Sequence, residues 1–386
     1  MSKLDEMIRE LCPHGVEYKK IGKIANYEQP SKYIVESTDY NDAFDVPVLT
    51  AGQTFILGYT NESTGIFRAS KLNPVIIFDD FTGAFKWVDF SFKVKSSAMK
   101  IITASNDVSI RYLFHVMGFL HYSSNEHKRL WIGIYSEFEV PVPPLEIQRE
   151  IVRILDNFTN LTAELTAELT ARKAQYSYYR DKLLTFESRI QLLPLKDIAK
   201  FSYGYTDKAQ EHGDTRFLRI TDIAEDGTMK PEGAKYILLN DESKKYLVKK
   251  GDLLLARTGA TYGKTLYVPD NSPAVYASFL IKIELDNSKI SNRYYWHFSK
   301  SNQYWRQAEK LVSKGGQQQF NTNAVERVVV PVPPLDVQNR IVNVLDNFEK
   351  ICSDLNIGLP AEIEARQKQY EYYRDKLLTF KEVAAT

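Results

Sequence analysis

The chain repeats itself, and this repetition constrains its fold more than any other feature. The segment Val140–Phe158 recurs as Val330–Phe348 with 13 of 19 positions identical, and Ala171–Phe186 recurs as Ala365–Phe380 with 13 of 16 identical. The stretches that precede these blocks resemble one another far less. The sequence therefore predicts a tandem repeat in which one surface is used twice, while two variable domains have different tasks.

The repeated blocks predict helices. After Pro143-Pro144, apolar residues recur at steps of 3, 4 and 7 between positions 147 and 183, which is typical of a helix with one apolar face. About 40 residues would give a helix of roughly 60 Å. In the second copy, Gly358-Leu359-Pro360 indicates that the helix stops and restarts. We therefore expect one continuous helix and one broken helix, packed as an antiparallel coiled coil because neither can bury its apolar face alone.

The variable stretches predict mixed α/β domains. Short apolar runs bounded by Gly, Pro, Asn or Asp predict strands at 47–50, 74–78, 249–256 and 278–283. Residues 109–119 and 292–311 predict amphipathic helices. The expected fold class is α+β, with two mixed α/β domains joined by two long helices in a pseudo-twofold tandem repeat. The expected segments are domain 1 at 1–143, the central helix at 144–190, domain 2 at 191–333 and the distal helices at 334–386.

Charge and cysteine content exclude several classes of protein. The net charge is +1, with a balance of −2 over residues 1–143 and +5 over residues 187–333. A protein that bound DNA by bulk electrostatics alone would be far more basic. The chain contains no run of 18 apolar residues, and Cys12 and Cys352 cannot build a disulfide framework. We therefore expect a cytoplasmic location and no membrane span.

Signatures of catalysis and cofactor binding are missing. Gly259 and Gly263 are separated by three residues, whereas a phosphate-binding loop needs four. Neither the Asn/Asp-Pro-Pro-Tyr/Phe tetrapeptide of amino-methyltransferases nor a Gly-x-Gly-x-x-Gly run occurs. The six histidines show no metal-ligand spacing. We therefore expect that the chain catalyses no reaction and binds no metal or cofactor.

Two loops at matching places in the repeats carry different polar chemistry. Residues 314–323 are rich in amides and precede the strand into Pro331, whereas Glu126–Trp131 is basic and precedes the strand into Pro141. Gln and Asn pair with adenine, and Arg and Lys pair with guanine. A glycine turn also recurs, with Arg257-Thr-Gly-Ala260 echoing Phe81-Thr-Gly-Ala84.

These loops and turns supply the candidate DNA contacts, for which a structural turn or a solvated loop is the alternative reading. The candidates are Lys86, Lys128, Arg129, Arg257, Thr258, Tyr262, Lys264, Lys314, Gln317, Gln318 and Gln319.

The helical blocks closely resemble the specificity subunit of Type I restriction-modification enzymes. The likeness rests on Pro-Val-Pro-Pro-Leu-x-x-Gln-x-x-Ile, the Leu-Thr-Ala-Glu units at Leu161 and Leu165, and Tyr-x-Tyr-Tyr-Arg-Asp-Lys-Leu-Leu-Thr-Phe, and it covers the whole chain. It implies that each variable domain is a target-recognition domain that reads one half of a bipartite, asymmetric target in double-stranded DNA. It also implies that the helices bind two modification (methyltransferase) subunits, and that restriction (translocase and nuclease) subunits join the complex. S-adenosylmethionine, ATP and Mg²⁺ would then be used by the partner subunits.

The same resemblance directs attention to polar and aromatic residues of the helical blocks as candidate partner contacts. The candidates are Gln148, Tyr176, Tyr178, Tyr179, Arg180, Gln338, Tyr370, Tyr372, Tyr373 and Arg374. The tyrosines are expected to divide between the helix core and the partner surface. We further expect the Leu-Thr-Ala-Glu units to set the unread spacer of the target. A coiled-coil adaptor that does not read DNA is the main alternative, and a DNA methyltransferase or nuclease is a weaker one.

Overall fold

The computed structural model of the protein describes residues 3–50, 54–120, 122, 128–186, 190–313, 318–353 and 358–383. The chain forms two compact units. Unit 1 contains the residues up to Glu164 together with those from Ile363 onward, and unit 2 contains Leu165–Glu362. Each unit therefore combines one variable domain with helical residues from both repeats.

The first variable domain contains short helices and strands. Its helices are α1 (Lys3–Leu11), α2 (Ile21–Ile24) and α3 (Ile110–Phe119). Its strands are β1 (Tyr18–Lys20), β2 (Ala25–Glu28), β3 (Val46–Leu49), β4 (Ile56–Thr60), β5 (Val75–Asp79), β6 (Phe85–Val88), β7 (Lys93–Val94), β8 (Met99–Ala104) and β9 (Glu139–Pro141). The strand orders are β2-β8-β5-β6, β4-β3-β7 and β1-β9.

The central strand β5 of the four-stranded sheet is buried on both faces. Side chains along β5 alternate between two cores, with Ile76 and Phe78 facing the α3 side and Val75 and Ile77 facing the second sheet. Successive residues of a strand point to opposite faces, so a sheet covered on both sides reads as a continuous apolar run. This is why the run at 74–78 predicted a strand correctly.

Helix α4 (Leu145–Leu183) follows directly after Pro143-Pro144 and is continuous over 39 residues. Proline is tolerated at the start of a helix because the first amide groups have no intrahelical acceptor. The residues of α4 up to Glu164 belong to unit 1 and the remainder to unit 2. The prediction of one continuous helix is confirmed.

The second variable domain repeats the plan of the first. Its strands are β10 (Gln191–Pro194), β11 (Ala199–Tyr203), β12 (Thr215–Leu218), β13 (Tyr236–Ile237), β14 (Leu253–Ala256), β15 (Thr265–Tyr267), β16 (Ala274–Tyr276), β17 (Leu280–Leu285) and β18 (Val329–Val332). Its helices are α5 (Asn292–Phe298), α6 (Asn302–Leu311) and α7 (Thr322–Val325). The strand orders β11-β17-β14-β15, β13-β12-β16 and β10-β18 match those of the first domain strand for strand.

The predicted helix over 292–311 is interrupted in the structure, and this corrects the sequence interpretation. Helix α5 ends at Phe298, and Ser301 caps α6 by accepting a hydrogen bond from the Tyr304 amide at 3.2 Å. The Ser299 and Ser301 hydroxyls also donate to carbonyls of the preceding turn. Serines that bond to the backbone in this way favour a helix end followed by a new start.

The distal block forms α8 (Leu335–Ser353) and α9 (Leu359–Leu377), so the predicted break before Pro360 is confirmed. In unit 1, Phe158 of α4 stacks on Tyr373 of α9 with ring centroids 5.2 Å apart. Tyr18, which pairs with Pro141 before α4 begins, donates its hydroxyl to the Phe380 carbonyl beyond the end of α9. Helix α9 is therefore antiparallel to the first part of α4. Supercoiling of the pair stays a prediction.

No helix in the part of the chain that the structure describes is long and apolar enough to cross a membrane.

Candidate nucleic-acid interface

One backbone position in each unit links a strand to a recognition loop, and the two positions are equivalent. Asp80 follows β5; its amide donates to the Ala98 carbonyl at 3.2 Å, and its carbonyl accepts from the Leu130 amide at 2.8 Å. Arg257 follows β14 and makes the same two bonds, to the Phe279 carbonyl at 3.1 Å and from the Phe320 amide at 2.7 Å. The fold therefore places an acid in unit 1 where it places a base in unit 2.

This equivalence corrects the alignment suggested by the sequence. The echo between Phe81-Thr-Gly-Ala84 and Arg257-Thr-Gly-Ala260 pairs Phe81 with Arg257, whereas the hydrogen bonds pair Asp80 with Arg257. The turn of unit 2 is longer than that of unit 1. Gly259 and Gly263 therefore do not lie the same number of residues after the strand as the glycine of the unit 1 turn. Short identical peptides are a weaker guide to position than strand register.

In unit 2 the Arg257 side chain is held at a half-buried position between two exposed aromatic rings. Its guanidinium carbon lies 5.1 Å from the Tyr203 ring centroid and 5.3 Å from that of Phe279. Its Nε donates to the Ser278 carbonyl at 3.1 Å. Such cation–π contacts orient a guanidinium without neutralising it. Within the described part of the chain, neither terminal nitrogen donates a hydrogen bond.

The amide-rich loop of unit 2 lies against the same turn. The Thr258 hydroxyl donates to the Gln318 carbonyl at 3.2 Å, and the Gln319 amide nitrogen donates to the Thr258 hydroxyl oxygen at 3.2 Å. Gln318 is exposed and Gln319 is half-buried. The structure thus brings Arg257, Thr258, Gln318 and Gln319 together. Lys314 and Gln317, the other two candidates of this loop, lie outside the described residues.

The far end of the glycine turn faces elsewhere. Tyr262 packs against Trp305 and Phe320 at the edge of the main core of unit 2. Lys264 is mostly buried and pairs with Glu225 at 2.6 Å. Of the turn candidates, therefore, Arg257 and Thr258 meet the amide loop, whereas Tyr262 and Lys264 make internal contacts.

In unit 1 the corresponding turn is acidic and its loop is basic. Asp80 is buried and pairs with Lys100 at 3.3 Å, and Lys100 lies over the Tyr27 ring at 5.3 Å. The Asp80 carboxylate also accepts from the Trp131 amide at 2.9 Å, which anchors the loop that carries Lys128 and Arg129.

Both loop residues are exposed, and so is Lys86 on β6, which pairs in register with Ile77. The loop therefore presents cations beside a neutralised acid.

The two units present the same aromatic pair on their helices. Tyr178 and Tyr372 are 61% and 62% exposed, and Tyr179 and Tyr373 are 37% and 39% exposed. Tyr179 stacks on Phe348 at 5.7 Å in unit 2, just as Tyr373 stacks on Phe158 in unit 1. One ring of each pair is thus tied to the helix core, and the other projects from it.

Burial removes Gln148 and Gln338 from the candidate partner surface. Both side chains are completely buried. Gln148 donates to the Asp107 and Pro143 carbonyls and accepts from the Ser109 amide. Gln338 makes the same three bonds, to the Lys289 and Pro333 carbonyls and from the Ser291 amide. Each glutamine fixes a helix start to its own variable domain.

Four further partner candidates are mainly internal. Tyr176 and Tyr370 hydrogen-bond to buried histidines of the variable domains, at 3.1 and 3.0 Å. Arg180 and Arg374 lie over these tyrosine rings and pair with the neighbouring Asp181 and Asp375. The exposed tyrosines therefore remain the strongest partner candidates of the helices.

Sequence reasoning missed the two histidines, His115 and His297. Each lies in the pattern Arg-Tyr-x-x-His on α3 or α5, and alignment of the two repeats would have revealed it. Burial lowers the pKa of both imidazoles, and to about 4 for His297. The aromatic residues Tyr203 and Phe279 were also missed, although each sits where a strand of the recognition sheet begins or ends.

One cluster in unit 2 has the composition of a metal site. Ligand atoms of His297, Asp346 and Glu349 lie within 4.8 Å of one another. Arg293 donates to both carboxylates, at 2.8 and 2.6 Å, and Lys300 donates to Glu349 at 3.0 Å. These cations neutralise the two carboxylates that would otherwise bind a metal ion, so the cluster is organised as an ion-pair network.

Comparison with known proteins decides the family. The model described as "Type I restriction modification DNA specificity domain" matches twice, over residues 13–172 and 188–365. The chain belongs to the type I restriction-modification DNA specificity family. A specificity subunit of the type I restriction enzyme EcoR124I/EcoR124II of Escherichia coli is 39% identical, over 98% of each chain. A putative type I specificity subunit of Haemophilus influenzae is 30% identical, over 95% of this chain and 96% of that one.

Solved structures show the same fold at low sequence identity. The S subunit of a type I restriction-modification system from M. genitalium superimposes with a TM-score of 0.59 and 12% identity, covering 94% of this chain and 96% of that chain. A chain from a structure on complex assembly and conformational transition of the type I R-M system gives a TM-score of 0.57 at 16% identity, covering 94% and 97%. The fold expected of the family is therefore confirmed for this chain.

Proposed function

We propose that this chain is the sequence-specific DNA-recognition subunit of a type I restriction-modification complex. Each variable domain reads one half of a bipartite, asymmetric target in double-stranded DNA. The helices set the unread spacer and dock two methyltransferase subunits. The observation that carries this proposal is the pair of equivalent turn-and-loop sites, which share backbone geometry and differ in side-chain chemistry.

The chemistry of the sites supports reading of unlike sequences. In unit 2, Arg257 and Gln319 offer a guanidinium and an amide, which pair bidentately with guanine and adenine respectively. In unit 1, Lys128 and Arg129 offer cations for phosphate or guanine, and Asp80 is already engaged by Lys100. An asymmetric target requires two recognition domains, called readers below, that share a backbone geometry and present different hydrogen-bond donors.

The repeated aromatic pairs support docking of one kind of partner twice. Tyr178 and Tyr372 are exposed to nearly the same extent, and the ring pairs that contain them have nearly the same geometry, with centroids 5.3 Å apart and interplanar angles of 76° and 77°. Exposed tyrosines are enriched in protein interfaces because a large apolar ring carries a polar tip. Identical surfaces would bind identical subunits.

In this proposal the chain itself is not catalytic. The methyltransferase subunits bind S-adenosylmethionine, and the restriction subunits use ATP and Mg²⁺ for translocation and cleavage. A cytoplasmic location follows from the place of such a complex beside chromosomal DNA. Incubation of the purified chain with DNA and labelled S-adenosylmethionine should give no methyl transfer, and any transfer would contradict this part of the proposal.

Domain exchange tests the reading function. Methylated sites in the host genome are first mapped to define both half-sites. Residues 16–140 are then replaced by the corresponding domain of another family member, and the map is repeated with the same methylating partner. We expect one half-site to change and the other to persist. A change in both half-sites, or in neither, would contradict the assignment of one half-site to each domain.

An adaptor that joins proteins without reading DNA is the alternative function. It predicts that the complex of this chain with the methylating partner shifts the mapped target and a scrambled duplex equally. The proposal predicts that the mapped target is bound at least tenfold more tightly at physiological salt, because loss of correct base contacts costs roughly 1–3 kcal/mol per base pair. The methylating partner alone is the control in both measurements.

A further inference from the structure

Each unit contains a fully buried histidine that joins three elements. In unit 1, His115 Nε2 lies 2.9 Å from Asp156 Oδ1, and Nδ1 lies 3.0 Å from the Tyr370 hydroxyl. In unit 2, His297 Nε2 lies 2.7 Å from Asp346 Oδ1, and Nδ1 lies 3.1 Å from the Tyr176 hydroxyl. We call each set the His–Asp–Tyr clasp of its unit.

The partners of each histidine come from different repeats. In unit 1 the histidine is on α3 of the variable domain, the aspartate is on α4 of the same repeat, and the tyrosine is on α9 of the other repeat. In unit 2 the corresponding elements are α5, α8 and the distal part of α4. Each clasp therefore ties one reader both to its own helix and to the helix of the other repeat.

Burial fixes the direction of both hydrogen bonds. Desolvation lowers the pKa of each imidazole, so both histidines are neutral near pH 7. Burial raises the pKa of Asp156 and Asp346, but the hydrogen bond from the histidine and the paired arginine together keep it below the usual value, so each aspartate is ionised and accepts from Nε2–H. Nδ1 then carries the lone pair and accepts from the tyrosine hydroxyl. All three side chains are required, because a buried Nδ1 without a donor is costly.

Other hydrogen bonds tie each reader to its own helix. The clasp is one of its polar contacts with the other repeat, beside the bond from Tyr18 to the Phe380 carbonyl in unit 1 and that from Asn302 to Asp181 in unit 2. Gln148 and the Tyr112 hydroxyl, which donates to the Pro141 carbonyl at 3.0 Å, tie the first variable domain to the start of α4. Gln338 and Tyr294 do the same in unit 2. Removal of the clasp tyrosine hydroxyl therefore weakens the contact of the reader with the helix of the other repeat, while its attachment to its own helix persists.

We propose that the two clasps are positioning devices that set the angle of each reader on its helices, and that they thereby restrict the spacer length that the protein accepts. His115, Tyr370, His297 and Tyr176 are positioning residues in this sense, and none contacts DNA. The inference rests on the proposed function. A spacer change of one base pair displaces a half-site by about 3.4 Å and rotates it by roughly 35°, so a reader held at a fixed angle rejects it.

Both clasps have an arginine paired with the aspartate, and the clasp of unit 2 carries further ion pairs. Lys300 lies 5.3 Å from the Tyr176 ring and pairs with Glu349, which also pairs with Arg293. The equivalent positions in unit 1 are Gly118 and Thr159, which cannot form these ion pairs. The same substitution should therefore loosen the reader of unit 1 more than that of unit 2.

The test compares Tyr370→Phe and Tyr176→Phe in the complex of the full chain with its methylating partner. Methylation rates are measured on three duplexes that carry the mapped half-sites with the native spacer, one base pair fewer and one more. We expect unchanged half-sites and a nearly unchanged rate on the native spacer. Discrimination against the altered spacers should fall about fivefold in Tyr370→Phe, the factor that corresponds to one net hydrogen bond, and less in Tyr176→Phe.

Ile102→Val in unit 1 and Ile290→Val in unit 2 are the matched controls, because both residues are completely buried in the cores and lie outside the clasps. They should lower the melting temperature without changing spacer discrimination. Equal discrimination in wild type and tyrosine variants, or an equal loss in the valine controls, would overturn the inference. Failure of the wild-type complex to methylate a bipartite target would instead overturn the proposed function.

Discussion

The recognition sites of the two units differ in sign at one shared position. Asp80 and Arg257 make the same two backbone hydrogen bonds, yet the acid is buried and paired with Lys100, whereas the base is half-buried between Tyr203 and Phe279. At the position of Lys100 on β8, strand register places Ile281 on β17. The backbone frame is therefore constant, and a few substitutions change the side-chain chemistry of each turn-and-loop site.

The helical contacts show the opposite behaviour. Gln148 and Gln338 make the same three hydrogen bonds, and both histidines bind one aspartate and one tyrosine. Variation is thus concentrated at the turn and loop, and constancy at the attachment of the reader. In the proposed function, such a division would allow one variable domain to change while the helices that dock the partners stay the same.

The largest effect is expected at Arg257. Replacing Arg257 by Ala should weaken binding of the mapped target by about 10- to 100-fold, which corresponds to roughly 1–3 kcal/mol for a bidentate base contact. Selectivity should fall only in the half-site read by unit 2. Arg257→Lys should recover part of the affinity and little of the selectivity, because an ammonium lacks the planar fork.

The control for this prediction is Arg306→Ala, which removes one exposed charge from α6 of the same unit. Competition binding against duplexes altered in one half-site at a time provides the measurement. Equal losses of binding affinity for Arg257→Ala and Arg306→Ala would show that Arg257 contributes only its charge.

Acid should destabilise the clasp of unit 2 more than that of unit 1. The pKa of His297 is lowered from 6.5 to about 4 by burial, with Lys300 and Arg293 opposing its protonation. Between pH 6.5 and 5 the unfolded chain binds a proton that the folded chain does not, so the free energy of unfolding should fall by about 2 kcal/mol from this residue. Glu349, whose pKa is raised by burial, acts in the opposite direction.

Variants isolate the histidine contribution. The pH dependence of the denaturant midpoint is measured for wild type, His297→Gln and His115→Gln. We expect the dependence between pH 6.5 and 5 to become shallower in both variants, and more so in His297→Gln. A steeper dependence in either variant would contradict the neutral state assigned to the buried imidazoles.

The smallest effect is expected at Arg129 and Gln319, which lie 12 residues before Pro141 and Pro331 respectively. Arg129→Ala should reduce the slope of log affinity against log salt by about 1, because one phosphate contact is lost. Gln319→Ala should leave the slope unchanged and alter base preference in one half-site. Salt titrations of both variants on the same target provide the measurement, and equal slopes would show that the two loops do not differ in mode of contact.

The helices were predictable because their signals are local and repeated. A Pro-Pro start, an apolar period and the Gly358-Leu359-Pro360 break fix the bounds of α4, α8 and α9 closely. The strand topology was not predictable, because the two variable domains share it with little sequence in common. Residues buried on both faces of a sheet need only be apolar, so many sequences satisfy one register.

The candidate site was predictable in part. The loops and the glycine turn were identified by polar chemistry and by their place in the repeat, and the structure unites Arg257 with Gln319 through Thr258. The equivalence of Asp80 with Arg257 depends on hydrogen bonds between residues distant in the chain, which no local motif encodes. The clasps were missed for the same reason, since His115 and Tyr370 are 255 positions apart.

The central claim is that duplicated helices hold two unlike readers at a set separation along DNA. Inserting one Leu-Thr-Ala-Glu unit after Glu164 adds four residues to α4, or about 6 Å of helix. Methylation mapping of the complex that contains this variant is the most direct test. We predict both half-sites unchanged and a spacer one or two base pairs longer. Altered half-sites with an unchanged spacer would contradict the account.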